Sequence, residues 1–152
     1  MKKSLILAFV ATLAFAFSSC EKKGFENVDS ISYGTSFGMC AGYCHNELSI
    51  SGNKTTMTRQ KNGDPTATKK CNSSVSESEV NEIKKLLNKD EVYKLPKTIG
   101  CPDCADGGAE WVAFKSNGKE YKITFEYGNA PESLKVAVAK LKAISETFKD
   151  CK

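Results

Sequence analysis

The chain has 152 residues, with 22 lysines and arginines against 18 aspartates and glutamates, one histidine and seven cysteines. That length builds one ordinary domain around a single core. Its lysines are interspersed with acids and Arg59 is the lone arginine, so there is no basic stripe of the kind nucleic-acid binding requires, and nucleic acid is excluded as a partner.

The chain opens on Lys2 and Lys3, passes through an apolar block from Leu5 to Phe17, and reaches Ser18-Ser19-Cys20. A charged start, a short apolar middle and small residues before a cut make a secretory signal. The block falls short of the ~20 apolar residues a spanning helix needs. The junction resembles the lipobox of bacterial lipoproteins, in which the cysteine is acylated and becomes the first mature residue. The alternative is a plain signal peptide followed by a free thiol. The expected organisation is a lipoprotein signal peptide over 1–19, a polar tether over 20–29 (EKKGFENVD follows Cys20) and one domain over 30–152. Loss of Lys2 and Lys3 takes the formal charge from +4 to +2. Several acyl chains, at ~0.8 kcal/mol per buried methylene, anchor durably where one does not. The expected location is the bacterial cell envelope, held in the outer membrane through lipid on Cys20, facing either the periplasm or the surface. Beyond the membrane, the expected partner is an envelope protein or a small ligand.

Asp29-Ser30-Ile31 resembles an Asp-Ser/Thr-aliphatic O-glycosylation site, which makes Ser30 a candidate; an ordinary tether-to-strand junction is the favoured reading. Ser30 to Phe37 reads as a first extended segment. Asn46 to Arg59 reads as a hairpin turning at Gly52-Asn53, where glycine supplies the positive φ a type II′ turn needs first. That register pairs Ile50 with Thr55 and Leu48 with Met57 on the core face, with Ser49, Thr56 and Thr58 on the other. Residues 61–75, rich in Lys, Thr, Asn, Ser, Gly and Pro, read as a loop. Ser76-x-x-Glu79 resembles a capping box, and Val80, Ile83, Leu86 and Leu87 recur at helical spacing, predicting a helix that ends near Asn88. Asn117-Gly118 between two alternating runs predicts a second hairpin. It sets Phe114 against Tyr121 and Val112 against Ile123, with Phe125 on the same face and Lys115 opposite Glu120. Pro131 opens a last helix whose apolar side carries Leu134, Val138, Leu141, Ile144 and Phe148.

The predicted order is β-ββ-α-ββ-α. It implies an α+β two-layer sandwich, an antiparallel sheet of about four to five strands with two helices on one face. Alternation then turns Trp111 away from the helices, together with Lys122, Thr124 and Glu126. Trp111 is either half-covered by a loop or the tether, or the anchor of a binding surface formed with those three residues.

With Cys20 assigned to lipid, six cysteines remain: Cys40, Cys44, Cys71, Cys101, Cys104 and Cys151. An even number in an exported chain predicts three disulfides. Cys101 and Cys104 are expected to be oxidised, to each other or to the 40–44 loop. Cys71 and Cys151 are then left as the expected remaining pair, Cys151 lying three residues beyond Phe148 on roughly the same side of the last helix, although six cysteines allow 15 pairings. Two other readings use the same residues. Cys40-x3-Cys44-His45 with Cys101-x2-Cys104 has spacing suited to a metal, though His45 is the only histidine. Cys101-x-x-Cys104 could serve thiol-disulfide exchange, though the segment after Cys104, Ala-Asp-Gly-Gly and then a strand, lacks the helix that lowers a thiol pKa in such motifs. No catalytic acid/base pair, Ser/His/Asp set or phosphate loop is visible, and neither a catalytic residue, a metal site nor a cofactor is assigned. The functional expectation is a lipid-anchored envelope binding or interaction module, with the redox protein and the small metal-binding lipoprotein as alternatives.

The run Phe37-Gly38-Met39-Cys40-Ala41-Gly42-Tyr43, entering the strand ELSISGN and followed by a helix, a loop, a glycine-turn hairpin and a Pro-x-x-Leu helix, is similar to an uncharacterised family of small exported bacterial lipoprotein domains. That family carries a Cys-Phe-Gly-x-Cys-Pro-x-Tyr-like motif, and the similarity covers about residues 30–147. Ser36 stands where the family often has its first cysteine, and Ala41 where it has proline. The resemblance implies that Cys40 has lost its local partner and that Cys44 replaces it. It also implies the fold and an envelope location, and assigns no activity.

Overall fold

The computed structural model describes Phe25 and residues 27–151, so the signal peptide and Cys20 lie outside the described residues. Strands β1 (Ser30–Ser36), β2 (Tyr43–Ser51), β3 (Lys54–Lys61) and β4 (Asp64–Ser74) precede helices α1 (Glu77–Leu86) and α2 (Lys89–Val92). Strand β5 (Thr98–Ile99), the hairpin β6 (Ala109–Ser116) and β7 (Lys119–Glu126), and helix α3 (Glu132–Glu146) complete the chain.

The expected four-to-five-stranded antiparallel sandwich with two helices is corrected by this architecture. The sheet has seven strands in the order β4-β3-β2-β1-β6-β7-β5, and it is mixed because β5 runs parallel to β7. The extra strand β4 comes from the segment read as a loop. It turns back at Asn62-Gly63, where Gly63 holds φ 73°, and pairs with β3 from Lys61↔Asp64 to Lys54↔Ser74. An edge strand has one flank in water and needs no apolar alternation, and its lysines discourage pairing with another chain. Among the described side chains of this strand, Cys71 packs against the core. Strand β5 is two residues long, and α2 is a single turn restarted by Asn88, whose side chain accepts from Asp90 N. Both are too short to carry a period.

Both hairpins form in the expected register, with Ile50↔Thr55, Leu48↔Met57, Phe114↔Tyr121, Val112↔Ile123 and Lys115↔Glu120. Asn117 and Gly118 both have positive φ, 50° and 74°, which a type I′ turn requires. Helix α1 starts on the capping box: Glu79 N donates to Ser76 Oγ at 3.2 Å, and Ser76 N donates back to Glu79 Oε2 at 3.1 Å. The core lies between one sheet face (Ile31, Leu48, Ile50, Val112, Ile123, Phe125) and the stripes of α1 and α3 that include Val80, Ile83, Leu134 and Leu141. Lys140 pairs with Glu82 at 2.8 Å and ties α3 to α1.

The packed part of the chain begins inside the residues read as a tether. Phe25 is buried, stacked on Phe114 with ring centroids 4.6 Å apart and edge-on to Tyr93. Asp29 N donates to Lys115 O at 2.8 Å, and Asn117 N donates to Asp29 Oδ2 at 2.9 Å. Ser30, the glycosylation candidate, is half-buried and opens β1 opposite Lys115.

Candidate binding cleft

The antiparallel register gathers four connections at the end of the sheet remote from Phe25: the 37–42 loop, the 62–63 turn, the 100–108 loop and the 127–130 turn. The cysteines stabilise this end. Cys40 is bonded to Cys44 and Cys101 to Cys104, while Cys71–Cys151 joins β4 to the chain beyond α3. Cys101 and Cys104 are thus paired with each other and not with the 40–44 loop. The loops also brace one another. Gly38 N donates to Asp103 Oδ1 at 3.2 Å, and Asn62 N donates to Gly42 O at 3.2 Å, with the Asn62 side-chain amide donating to Gly38 O. Phe37 lies against Gly108 and meets the Tyr127 ring edge-on at 4.9 Å.

Between these loops and the C-terminal turn of α3, on the helix-covered side of the sheet, lies a cleft of about 320 Å³. Its floor is the last stretch of strand beyond the reach of α3: Tyr33, Thr35, Asn46 and Arg59. Thr35 pairs with Asn46 and Asn46 with Arg59, so these three side chains form one row across β1, β2 and β3. Phe37, Tyr43 and Tyr127 are the aromatic walls, and Lys142, Ser145 and Glu146 close the helix side. Lys142 Nζ sits 5.4 Å from the Tyr127 centroid, and Lys61 and Lys69 lie 5.7 and 5.8 Å from that of Tyr43.

Two polar groups under the cleft are positioned by burial. Tyr33 Oη donates to Glu110 Oε1 at 2.5 Å, while Gly128 N donates to Glu110 Oε2 at 2.9 Å, so a buried carboxylate has partners on both oxygens. Burial, then the Glu110 carboxylate, holds the Tyr33 hydroxyl well above the usual tyrosine range. Arg59 Nη2 donates to Phe148 O at 3.1 Å and fastens the end of α3 to β3; its Nε is buried without a protein partner.

The expected surface around Trp111 lies on the opposite sheet face and has a different character. Trp111 points away from the helices as alternation requires, but its ring is buried: only 3% is exposed. It lies on Gly34, stacks obliquely on His45 at 4.8 Å and is capped by Lys122 Nζ at 4.0 Å. Burial lowers the His45 pKa, with Glu47 opposing and Lys122 reinforcing the shift. Thr124 pairs with Trp111 across the β6–β7 ladder. Glu126 is drawn to the cysteine turn instead, accepting from Cys101 N at 2.9 Å and from Asn129 Nδ2 at 3.2 Å, and these bonds lower its carboxyl pKa.

The Cys101–Cys104 pair of the redox alternative is closed. Cys104 opens a three-residue 3-10 turn in which Ala105 and Asp106 are left-handed, which supplies no helix dipole to a thiol. Among the described residues, no three His, Cys, Asp or Glu side chains converge on a point that could hold a metal. Among the same residues, no helix is long and apolar enough to cross a membrane.

Sequence reasoning missed Tyr33, Arg59, Tyr127 and Lys142 as site residues. The available signal was the Phe37-to-Tyr43 run, whose two aromatic ends both face the cleft, and the Lys142/Glu146 pair one turn apart on α3. No protein-family model matches the chain, and no curated protein shows significant similarity to it.

Proposed function

We propose that this protein is a lipid-anchored binding module of the bacterial cell envelope that receives its ligand in the cleft at the disulfide-braced end of the sheet. The carrying observation is the cleft itself, a polar and aromatic concavity whose Tyr43 wall lies inside the Cys40–Cys44 loop and whose Phe37 wall is backed by Gly108 of the segment that carries Cys101–Cys104. Such bracing fixes the walls before a ligand arrives and so lowers the entropy cost of binding. The signal and the Ser-Ser-Cys junction support the anchor. Five residue steps separate Cys20 from Phe25, which allows a reach of at most ~18 Å. Phe25 docks at the opposite end from the cleft, so an anchor on Cys20 places the Phe25 end toward the bilayer and the cleft away from it.

The test combines fractionation with hydrogen exchange. The full chain is expected to sediment with membranes and the Cys20→Ala variant to leave them. Exchange of the detergent-purified chain, with and without the low-mass fraction of an envelope extract, is expected to slow at residues 35–46 and 142–146. Protection at the Trp111 face alone, or none at all, rejects the cleft. An unchanged membrane fraction for Cys20→Ala rejects the anchor.

A further inference from the structure

Resting on the reading of this cleft as a binding site, we propose that its ligand is a small carboxylate carried on a flat, ring-sized body. The volume of about 320 Å³ is at the small end of the range for ligand sites. Arg59 and Lys142 line the cleft and Lys61 and Lys69 flank it, while Glu146 is its one lining acid. Among the described residues no carboxylate lies within 4 Å of any of the four cationic heads; Lys61 shares its field with Asp64, which leaves the lining pair Arg59 and Lys142 as the surplus charge. That surplus calls for an anion, and Glu146 on the same rim disfavours a dianion. A planar guanidinium matches a carboxylate better than a point charge does. Bare phosphate would use the cations and leave Phe37, Tyr43 and Tyr127 without a role. A neutral ring would use the aromatic walls and leave the cations unmatched. A ring that bears one carboxylate satisfies both sets, with Thr35, Asn46 and Ser145 available for polar substituents.

The test titrates the full chain in mild detergent with four probes, glucuronate, benzoate, glucose and inorganic phosphate, read by backbone amide shifts. Glucuronate or benzoate is expected to move the amides of residues 35–46 and 142–146 saturably, and glucose and phosphate to bind roughly tenfold more weakly or not at all. Response to glucuronate alone identifies an acidic sugar, and response to benzoate alone an aromatic acid. Lys142→Ala is expected to weaken the responding carboxylate roughly tenfold, since a charge-assisted contact is lost. Arg59→Gln should act likewise, and Lys142→Ala serves as the second variant because Arg59 also holds the end of α3. Phosphate binding as tightly as the carboxylates reduces the site to bare charge and overturns the proposal; so does glucose binding equally, or no saturable shift with either acid. Cys20 plays no part in the titration, so these outcomes leave the anchor standing, and loss of the anchor leaves them standing.

Discussion

The Tyr33 hydroxyl and the Glu110 carboxylate, 77 residues apart in sequence, meet at 2.5 Å beneath the cleft, both almost fully buried. Tyr33→Phe removes a donor and leaves Glu110 with Gly128 N as its remaining partner. A buried charged acceptor deprived of a partner costs about 1–3 kcal/mol. The melting temperature of Tyr33→Phe should therefore fall by roughly 5–10 °C. A double-mutant cycle with Glu110→Gln should show coupling, since the two residues share one bond. Additive losses would mean that the pair contributes nothing as a pair.

The same contact predicts alkaline sensitivity. Burial and Glu110 raise the Tyr33 pKa in the folded state, whereas the unfolded side chain titrates near ~10. Below that value both states hold the proton and the contribution is complete. Above it the unfolded state loses its proton while the folded state keeps it, so stability declines as pH rises. Urea midpoints measured from about pH 9 to 11 should fall more steeply for the wild type than for Tyr33→Phe. Parallel curves would assign the alkaline decline to other groups.

Gly34 supports Trp111 by having no side chain. A Cβ there would overlap the indole ring and come within 2.8 Å of Asn46 O, and backbone on that side cannot swing aside. Gly34→Ala should cost on the order of 1–3 kcal/mol as an overpacked site. Because Trp111 is the only tryptophan, its emission reports the damage directly. A red shift toward the solvated value is expected in the folded variant, and an unchanged spectrum would show that the ring is not held by Gly34.

The contrast between correctly and incorrectly read segments follows burial. Both hairpins were legible because each strand buries one face, so Leu48, Ile50, Val112 and Phe114 alternate with polar neighbours and Asn117-Gly118 names its turn type. Strand β4 was not, because Thr66 to Ser74 lies at an edge and is held by backbone pairing that leaves little mark on side-chain choice. The cleft was illegible for a related reason. Its residues come from β1, β2, β3, α3 and two loops; the hairpin register already sets Arg59 opposite Asn46, but only the pairing of β1 with β2 adds Thr35, and only the packed fold adds Tyr127 and Lys142.

Phe25 is a smaller instance of the same limit, one aromatic residue in a polar run with no period to betray it. Its stacking on Phe114 and burial to 3% exposure make it a core residue. Phe25→Ala should cost about 3 kcal/mol, near the lower bound for buried phenylalanine because the chain end can partly collapse into the gap. The check is chemical denaturation of Phe25→Ala beside Phe25→Leu, which should recover most of the loss. Little or no loss for Phe25→Ala would return residues 25–29 to the tether.

The three disulfides should differ in worth because they close different lengths of chain. Cys71–Cys151 spans 80 residues, whereas Cys40–Cys44 spans 4 and Cys101–Cys104 spans 3. In the chain-entropy view the long closure contributes about 4 kcal/mol and the short ones about 2 kcal/mol each. Cys71–Cys151 also packs against the main core, with Cys151 buried and Cys71 partly so; Cys44 of the 40–44 bridge is buried too, whereas Cys101 and Cys104 are both exposed. Limited reductant should open the Cys101–Cys104 pair first with a melting-temperature drop of several degrees, and a drop about twice as large should follow when Cys71–Cys151 opens. Paired serine substitutions separate the cases: Cys71→Ser/Cys151→Ser should lose roughly twice the stability of Cys101→Ser/Cys104→Ser. The second pair should instead loosen the 100–108 loop, detectable as faster amide exchange at Gly38, which donates to Asp103. An equal loss from both pairs would show that the exposed turn carries packing energy that chain closure does not explain.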